Sequence, residues 1–248
     1  MTDFKPKETN YDIEWQVESF HWWFTVRRKL LEYLLTSINI SSKELAIDIG
    51  CGAGSNLNVL SSKGIHTIGL DHSLYALTLV RRRLELPLIN GDLKKLPLRS
   101  NSIGLIVAMD ILEHLDNDVD GISEFYRVLK KGGNLILTVP AFKFLWGIQD
   151  VVTGHKRRYS KKDILTKLVQ GGFEILRFSY FNFFLFFPIL IARRMIHFLK
   201  FKIESENRIN FLLVNYFLKT IFSLEPYLLR HISFPFGVSI LCVARKGY

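Results

Sequence analysis

The sequence predicts a doubly wound α/β domain, in which helices cover both faces of a parallel sheet. Short apolar runs of strand length alternate with helical patterns between residues 41 and 180. Alternation at this spacing is typical of right-handed βαβ units, whose strands run parallel. The first apolar run ends in a glycine-rich turn, which is typical of a ligand-binding connection between strand and helix. In addition, 48% of the 248 residues are hydrophobic, which is enough for a large core and excludes disorder throughout the chain.

The strands are predicted from short apolar runs that end at glycine or at polar residues. In chain order they are Leu45–Ile49, His66–Leu70, Leu86–Ile89, Ile103–Met109, Asn134–Val139, Phe173–Tyr180 and Phe236–Arg245.

Helices are predicted where apolar residues recur every three to four positions. They cover Ser19–Ser37, Ser55–Lys63, a segment from Ser73 to the Arg81-Arg82-Arg83 run, Val119–Lys130 and Lys161–Gly171. The fourth of these helices is expected to end in a C-cap at Gly132-Gly133. Residues 1–15 are polar, and we expect them to be loosely ordered.

These elements divide the chain into four segments. Residues 1–40 form an N-terminal helical segment that covers the core. Residues 41–180 form the Rossmann-like core that binds a cofactor. Residues 181–232 form an apolar and basic helical insert, and residues 233–248 return to the core as its final strand.

The charge and the cysteine content restrict the class of protein. The two cysteines, Cys51 and Cys242, make neither a disulfide framework nor a zinc-binding pattern. No signal-peptide pattern precedes the first helix. We therefore expect a cytoplasmic protein. The formal net charge of +10 admits nucleic acid, an anionic membrane or an acidic substrate as a partner. A solvated lysine-rich face explains the same charge equally well.

The glycine-rich turn comprises Asp48 to Gly54, with glycine at positions 50, 52 and 54. Glycines allow the backbone to turn sharply and to approach a ligand closely. A dinucleotide fold would place a pyrophosphate at the following helix N-terminus. Here, however, the carboxylate of Asp48 repels a pyrophosphate and favours a cationic ligand. S-adenosylmethionine, which carries a sulfonium and an ammonium, fits this turn better than a nucleotide phosphate does.

Two further acidic residues follow the next strands. Asp71 ends the second strand, where a carboxylate can accept both hydroxyls of an adenosine ribose. Asp92 follows Gly91 after the third strand, where it can accept a hydrogen bond from the adenine amino group. Three acidic strand ends in this order favour an adenosine-containing cofactor more strongly than the glycine turn alone.

The segments Asp48–Gly54, Asp71, Gly91-Asp92 and 107–114 resemble the successive motifs of class I methyltransferases. Residues 111–115 and 127–133 are similar to the small-molecule branch that includes ubiquinone-biosynthesis-type enzymes. The resemblance covers about residues 44–140. It implies a seven-stranded sheet whose last strand is antiparallel, and adenine contacts from Asp92 and Leu93. The complete expected cofactor site is Asp48, Gly50, Cys51, Gly52, Gly54, Asp71, His72, Asp92, Leu93 and Asp110.

Acceptor chemistry is expected from polar residues after the fourth and fifth strands. Glu113 and His114 follow the fourth strand and could deprotonate an acceptor, although a structural capping role explains them too. A metal held by Asp110, Glu113 and His114 is less favoured, because such closely spaced residues on a helix do not all point one way, and we expect no metal. His155 is the best candidate for a base, because it lies in a long polar loop on the carboxyl side of the sheet.

The same loop contains Arg157, Arg158 and Tyr159, which could clamp a phosphate or carboxylate of the acceptor. A solvated basic loop is the simpler alternative. Residues 20–24 and 154–159 also resemble a poorly characterised bacterial and archaeal branch of the family. The aromatic segment 20–24 is typical of a core helix, but it could also cover the cofactor, with His21 facing the substrate.

The insert is apolar from Tyr180 to Ala192 and is then interrupted by Arg193-Arg194. This run is too short for a transmembrane helix, which needs about 20 apolar residues. The basic and apolar composition of residues 195–202 is that of an interfacial helix, although a lid over the sheet edge has the same pattern.

We therefore expect methyl transfer to a small or lipid-linked acceptor bound at the carboxyl ends of strands 4 and 5. The enzyme would be cytoplasmic or peripheral at the inner membrane face, with an anionic membrane surface as a partner and no specific nucleic acid. The alternatives are an RNA methyltransferase and a non-catalytic cofactor-binding protein of the same fold. The amino-methylating motifs Asn-Pro-Pro-Tyr and Asp-Pro-Pro-Tyr are absent from the sequence, which disfavours those nucleic-acid families.

Overall fold

The computed structural model of the chain describes residues 8–38, 40–41, 43–199 and 212–247. Its strands form a single seven-stranded sheet in the order β3-β2-β1-β4-β5-β7-β6. All neighbouring pairs are parallel except those of β7, which is antiparallel to both β5 and β6. The predicted doubly wound fold with an antiparallel last strand is confirmed. The strands are β1 Leu45–Ile49, β2 His66–Asp71, β3 Leu88–Asn90, β4 Ile103–Met109, β5 Leu129–Pro140, β6 Phe173–Phe181 and β7 Ser239–Lys246.

Helices precede the sheet, connect its strands and form the insert. They are α1 Glu8–Val17, α2 Trp22–Ser37, α3 Ser55–Ser62, α4 Leu74–Arg81, α5 Asp118–Val128, α6 Ile148–Thr153, α7 Lys161–Gln170, α8 Phe186–Leu199, α9 Leu212–Phe222 and α10 Glu225–Leu228. Short 3-10 turns follow β4 at Leu112–His114 and β5 at Lys143–Leu145.

The core lies on both sides of the central strands. Every residue of β4 is buried, as expected for a parallel strand that is covered by helices on both faces. On α2, Leu30, Leu31 and Leu34 are fully buried and belong to the same apolar cluster as β1 and β4. Because the central strands are covered on both faces, ligands have access mainly at the strand ends.

The expectation of a loosely ordered N-terminus is wrong for residues 8–15, which lie in α1. Tyr11 is buried in a small apolar cluster with Ala76 and Leu79 of α4. The ring of Trp15 lies 3.3 Å below the guanidinium carbon of Arg83, so that a cation–π contact adds to this packing. Residues 1–7 lie outside the described part of the chain.

The expected C-cap at Gly132-Gly133 is also wrong, because α5 ends at Val128 and β5 begins at Leu129. The side-chain amine of Lys246 on β7 donates to the carbonyls of Tyr126 and Leu129, at 2.6 and 2.9 Å. A lysine that binds terminal carbonyls takes the part of a C-cap. Gly132, with a φ of +74°, lies within β5, where the register with β4 shifts.

The insert contains α8, α9 and α10, and α9 packs against α2. Among the described residues, no helix combines the length and the apolar character needed to cross a bilayer. The sequence suggested an interfacial helix over residues 195–202. The structure describes this segment only as far as Leu199, and the side chain of His197 also lies outside the described part.

Candidate active site

A cleft of about 580 Å³ opens at the carboxyl ends of the parallel strands. Its floor is formed by the residues that follow β1, β2, β4 and β5, and α1, α2 and α8 contribute to its walls. Most of the expected site residues line this cleft: Gly50, Cys51, Gly52, Asp71, His72, Asp92, Leu93, Asp110, His114, His155, Arg158 and His21. Asp48, Gly54, Glu113, Arg157 and Tyr159 are not among its lining residues.

The glycine turn leads the chain from β1 into α3. Gly50, Gly52 and Gly54 all have positive φ values of +73°, +50° and +92°, which glycine adopts without strain. A β-carbon at position 50 would also lie only 2.7 Å from Ile111 Cδ1, so the close approach of two loops requires glycine there. The turn therefore exposes backbone rather than side chains to the cleft.

Asp48 lies beneath the glycine turn and is completely buried. Its Oδ1 accepts a hydrogen bond of 3.2 Å from Asn56 Nδ2, which belongs to α3. Burial raises the pKa of Asp48 to about 7 despite this bond. Asp48 was expected to contact a cationic ligand directly. The structure instead places its side chain behind the turn, where it supports the turn from below and does not line the cleft.

Asp71 at the end of β2 connects the turn to the cleft. Its Oδ2 accepts from the Gly52 N–H at 2.9 Å, and its Oδ1 accepts from the Ser73 N–H at 2.8 Å. Each carboxylate oxygen has a further lone pair, so Asp71 retains the capacity to accept two hydroxyl groups. His72 beside it is half-exposed, with Nδ1 3.3 Å from Asp71 Oδ1.

Asp92 and Leu93 lie at the rim of the cleft after β3. Asp92 is exposed, and its Oδ1 accepts from the Lys94 N–H at 2.9 Å. Leu93 is buried and belongs to the main apolar cluster. An apolar wall next to an exposed carboxylate can contact the face of a planar base and accept from its exocyclic amine.

The N-terminal helices contribute cleft residues that the sequence did not indicate. Glu14 of α1 lies above the glycine turn, with Oε2 3.7 Å from the position that a β-carbon on Gly52 would take. Burial raises the pKa of Glu14 to about 7, although the nearby Arg27 opposes this shift. Since residues 1–15 lack a helical apolar pattern, no sequence signal identified Glu14.

Asp110 follows β4 and carries a positive φ of +57°, which is uncommon for a residue other than glycine. Its Oδ2 lies 3.0 Å from Arg27 Nη2 of α2. This ion pair joins the N-terminal segment to the sheet edge inside the cleft. Strained backbone at such a position is found more often at functional sites than elsewhere.

Glu113, His114 and His155 come together at the other end of the cleft. The two histidine rings meet edge to face with centroids 4.9 Å apart, and His155 Nε2 lies 3.7 Å from Glu113 Oε1. Burial, together with the neighbouring Asp110, raises the pKa of Glu113 well above its usual value. Burial and the nearby His155 lower the pKa of His114 to about 3, so its ring is neutral. One potential metal-ligand atom from each of these three residues lies within 4.8 Å of the others.

Asp150 of α6 is a second residue that the sequence did not indicate. It is fully buried, and its Oδ1 lies 2.8 Å from both His155 Nδ1 and Arg158 Nε. Burial opposes its ionisation, but the hydrogen bonds from His155 and Arg158 outweigh burial and lower the pKa of Asp150 to about 2. A charged Asp150 therefore fixes the orientation of His155.

The expected clamp of Arg157, Arg158 and Tyr159 does not form around the cleft. Tyr159 is fully buried in the core, because the chain after Arg158 runs beside Ala141 in a short parallel bridge. Arg157 donates to the carbonyls of Leu115 and Asp116 and lies away from the cleft. Only Arg158 reaches the cleft wall, where it is buried against Asp150.

His21 lines the cleft, but it also has a structural task. Its Nδ1 accepts from the Trp23 N–H at 3.3 Å and so caps α2. Its Nε2 is buried and has no hydrogen-bond partner among the described residues. Burial lowers the pKa of His21 to about 4, so the ring presented to the cleft is neutral.

Comparisons with known proteins relate this cleft to a family. The sequence model described as "Methyltransferase domain" matches residues 47–137. A probable S-adenosylmethionine-dependent methyltransferase of Mycolicibacterium smegmatis is 27% identical over 158 residues, which are 62% of this chain and 60% of that protein. The demethylmenaquinone methyltransferase of Renibacterium salmoninarum is 25% identical over 111 residues, which are 44% of this chain and 47% of that protein. The chain thus spans about half to three fifths of the length of these relatives.

Among solved structures, the Haemonchus contortus phosphoethanolamine N-methyltransferase 2 in complex with S-adenosyl-L-methionine has a TM-score of 0.59 at 18% identity. The similarity covers 88% of this chain and 52% of that chain, and at this identity it shows the fold alone. Residues 47–137 thus match a methyltransferase domain, the chain has a fold similar to that of class I methyltransferases, and the relatives of this region include an S-adenosylmethionine-dependent methyltransferase.

Proposed function

We propose that the chain transfers the methyl group of S-adenosylmethionine to a heteroatom of a lipid-linked acceptor at a membrane surface. In this reaction the acceptor lone pair forms a bond to the methyl carbon while the carbon–sulfur bond breaks. The products are the methylated acceptor and S-adenosylhomocysteine, and an acceptor hydroxyl also releases one proton to solvent. The sulfur leaves as a neutral thioether, so positioning and desolvation supply much of the rate enhancement.

The cofactor half of the proposal rests on the glycine turn and its surroundings. Asp71 would accept the ribose hydroxyls, and Asp92 with Leu93 would hold the adenine. The carboxylates of Glu14 and Asp110 face the same part of the cleft and would favour the ammonium and sulfonium groups. Arg27, which is paired with Asp110, is the cation placed to meet the single carboxylate of the cofactor.

The acceptor half lies at the carboxyl ends of β4 and β5, beside His114 and His155. His155 Nδ1 is held by Asp150, which leaves Nε2 to act on the acceptor side of the cleft. Asn182 also lines this part, and its buried Oδ1 has no hydrogen-bond partner among the described residues. These groups could orient an acceptor hydroxyl or amine next to the methyl group.

The single observation that carries the lipid assignment is the two-faced character of α8. On one face, Ile189 and Arg193 line the cleft. On the opposite face, Ile191, Met195 and Phe198 are exposed, and Phe198 has 84% of its surface accessible. The spacing of three or four residues keeps each set on one side of the helix, and the offset of two residues between Ile189 and Ile191, about 200° around the axis, places the two sets on opposite sides. One helix thus joins the acceptor end of the cleft to an apolar surface.

The next helix extends this surface. Exposed apolar residues of α9 recur at i, i+1, i+4 and i+5 and comprise Leu212, Leu213, Tyr216 and Phe217. The other face of α9 is fixed to α2 through Asn215 and Phe222. Arg194 is exposed on α8, and the chain has a net charge of +10, so an anionic bilayer complements both the apolar and the basic character.

Vesicle binding tests this proposal. Wild-type protein should sediment with phosphatidylglycerol-containing vesicles and much less with neutral vesicles. Phe198→Asp combined with Leu213→Asp should weaken this binding by roughly tenfold or more, since a buried large apolar side chain contributes about 1.5–3 kcal/mol. Val169→Asp is the control, because Val169 is also an exposed apolar residue but lies on α7, away from α8 and α9. S-adenosylmethionine affinity and the melting temperature should be unchanged in both variants.

Cofactor turnover with fractionated extracts separates the rival functions. Turnover with the lipid fraction that is lost in the double aspartate variant supports the proposal. Turnover with RNA, together with sequence-preferring sub-micromolar RNA binding at physiological salt, favours an RNA methyltransferase. Cofactor binding without turnover in any fraction favours a non-catalytic protein. Equal vesicle binding by the wild-type and double-variant proteins contradicts the membrane assignment.

A further inference from the structure

We infer that Glu113, His114 and His155 form a binding site for a divalent transition-metal ion of the zinc type. Ligand atoms of the three residues lie within 4.8 Å of one another. Nitrogen and oxygen ligands bind such an ion at about 2.0–2.2 Å, so two ligands of a tetrahedral ion lie roughly 3.4 Å apart. The 3.7 Å between His155 Nε2 and Glu113 Oε1 is close to this separation. A pair separated by the full 4.8 Å needs a contraction of roughly 1.4 Å, which requires a change of side-chain rotamer on binding.

The carboxylate of Glu113 independently indicates a ligand. The residue is fully buried, and neither of its oxygens has a hydrogen-bond partner among the described residues. Buried polar groups are nearly always hydrogen-bonded, and a buried carboxyl group without partners is strongly unfavourable. A bound cation between Glu113 and the two histidines would satisfy this carboxylate.

Both histidines are oriented from outside the cluster. His155 Nδ1 is held by Asp150 at 2.8 Å, so that Nε2 is directed toward Glu113. The ring of His114 is hydrogen-bonded to the backbone of Gly154. Histidine ligands of metals characteristically use their second nitrogen in this way, most often with a carboxylate or a backbone carbonyl. The cluster therefore has the outer partners as well as the ligands of a metal site.

The donor set restricts the ion. Magnesium and calcium prefer oxygen ligands, whereas two imidazoles and one carboxylate suit zinc, cobalt or ferrous iron. His114 and His155 line the cleft, so an ion that they hold would be accessible from the cleft, whereas Glu113 is fully buried. Two histidines and one carboxylate with an open position is the donor set of catalytic rather than structural zinc sites.

An ion here would bind the acceptor heteroatom and lower the pKa of an acceptor hydroxyl, whose proton then leaves to solvent. In that case His155 holds the ion and is not itself the base. This catalytic role rests on the proposed methyl transfer, whereas the binding site does not.

The test uses the full chain without a histidine tag, stripped with a chelator. Titration with Co²⁺ should give visible absorption bands that saturate at one equivalent, and Zn²⁺ should abolish them. His155→Ala and Glu113→Gln should each weaken binding at least about tenfold, and Asp150→Asn by about 10- to 100-fold. His66→Ala is the matched control, because His66 is exposed at the amino end of β2, on the opposite edge of the sheet.

Binding that is equal in His155→Ala and His66→Ala overturns the proposal. The proposal is also overturned if the wild-type protein shows no Co²⁺ bands and Glu113→Gln raises the melting temperature. That result would identify Glu113 as a buried acid that no ligand compensates. S-adenosylmethionine affinity is measured in every metal-free variant. Retained affinity shows that the fold is intact, and it separates failure of the metal site from failure of the methyltransferase assignment.

Discussion

Asn215 of α9 accepts a hydrogen bond of 2.7 Å from the backbone N–H of Trp22, the first residue of α2, and donates one of 3.1 Å to the carbonyl of Phe20. The first N–H groups of a helix have no partner within the helix. A residue 193 positions further along the chain thus supplies a partner for the start of α2. The insert and the N-terminal wall of the cleft are therefore one structural unit.

Asn215→Ala should consequently destabilise the protein by about 1–2 kcal/mol, because it leaves two partly buried backbone groups, the Trp22 N–H and the Phe20 carbonyl, without this partner. Urea unfolding measures this loss. Asn58→Ala, at an exposed position on α3, is the control and should change stability by less than about 0.5 kcal/mol. Equal stability of the two variants would show that α2 begins without help from the insert.

Asp71→Ala should weaken S-adenosylmethionine binding by roughly 10- to 150-fold, the equivalent of about 1.5–3 kcal/mol for hydrogen bonds to a charged group. Calorimetry measures the affinity, and Asp120→Ala on the exposed side of α5 is the control. An unchanged affinity removes Asp71 from the site. Tighter binding of NADH than of S-adenosylmethionine contradicts the cofactor assignment itself.

Cofactor affinity should increase as the pH rises from about 5.5 to 7.5. The pKa values of Glu14 and Asp48 are both raised to about 7, chiefly by burial, so both groups are protonated at the acidic end of this range. A cationic ligand favours their ionised forms, and binding near pH 6 must release protons to the buffer. Calorimetry in buffers with different heats of ionisation detects this release.

Glu14→Gln should flatten that pH dependence and reduce the number of protons released. Glu32→Gln, at an exposed position of α2, should leave both unchanged. A wild-type affinity that is constant across this pH range places neither carboxyl group near the bound cation.

Glu225 should make the folded state less stable as the pH rises. It is fully buried, its Oε1 accepts from the Phe184 N–H at 2.9 Å, and burial raises its pKa to about 7. The unfolded chain, with an ordinary glutamate pKa of about 4.3, releases this proton first, so stability decreases between pH 4.5 and 7 by an amount on the order of 3 kcal/mol. Melting curves at several pH values should show that Glu225→Gln loses this part of the decrease. Parallel wild-type and variant profiles would contradict the assignment.

The succession of strands along the chain and the positions of Asp71 and Asp92 at strand ends were predicted from the sequence for a simple physical reason. Parallel strands bring their carboxyl ends to one edge of the sheet, so polar residues after consecutive strands converge there. The composition and the spacing of apolar residues therefore predicted which residues follow each strand and meet at this edge, without any knowledge of distant contacts.

Residues whose role depends on distant partners were not predictable. Helix α1 forms because Tyr11 and Trp15 have partners on α4, and Lys246 from the last strand determines where α5 ends. The run Phe186-Phe187 shows the same limit, because Phe186 is buried beside Leu145 while Phe187 is more than half exposed. Asp150 lies in no recognisable pattern, and only the folded loop brings it to His155.

The position of β7 has a consequence for biosynthesis. This strand, the last in the chain, lies between β5 and β6 and pairs with both. A ribosome therefore releases the apolar helices α8 and α9 before the strand that completes the sheet beneath them. Until residues 239–246 emerge, β5 and β6 have unpaired edges, which are known sites of aggregation. The nascent chain thus passes through a stage in which these edges are open to aggregation, and shortening β7 should reduce the yield of folded protein more than the removal of any surface loop.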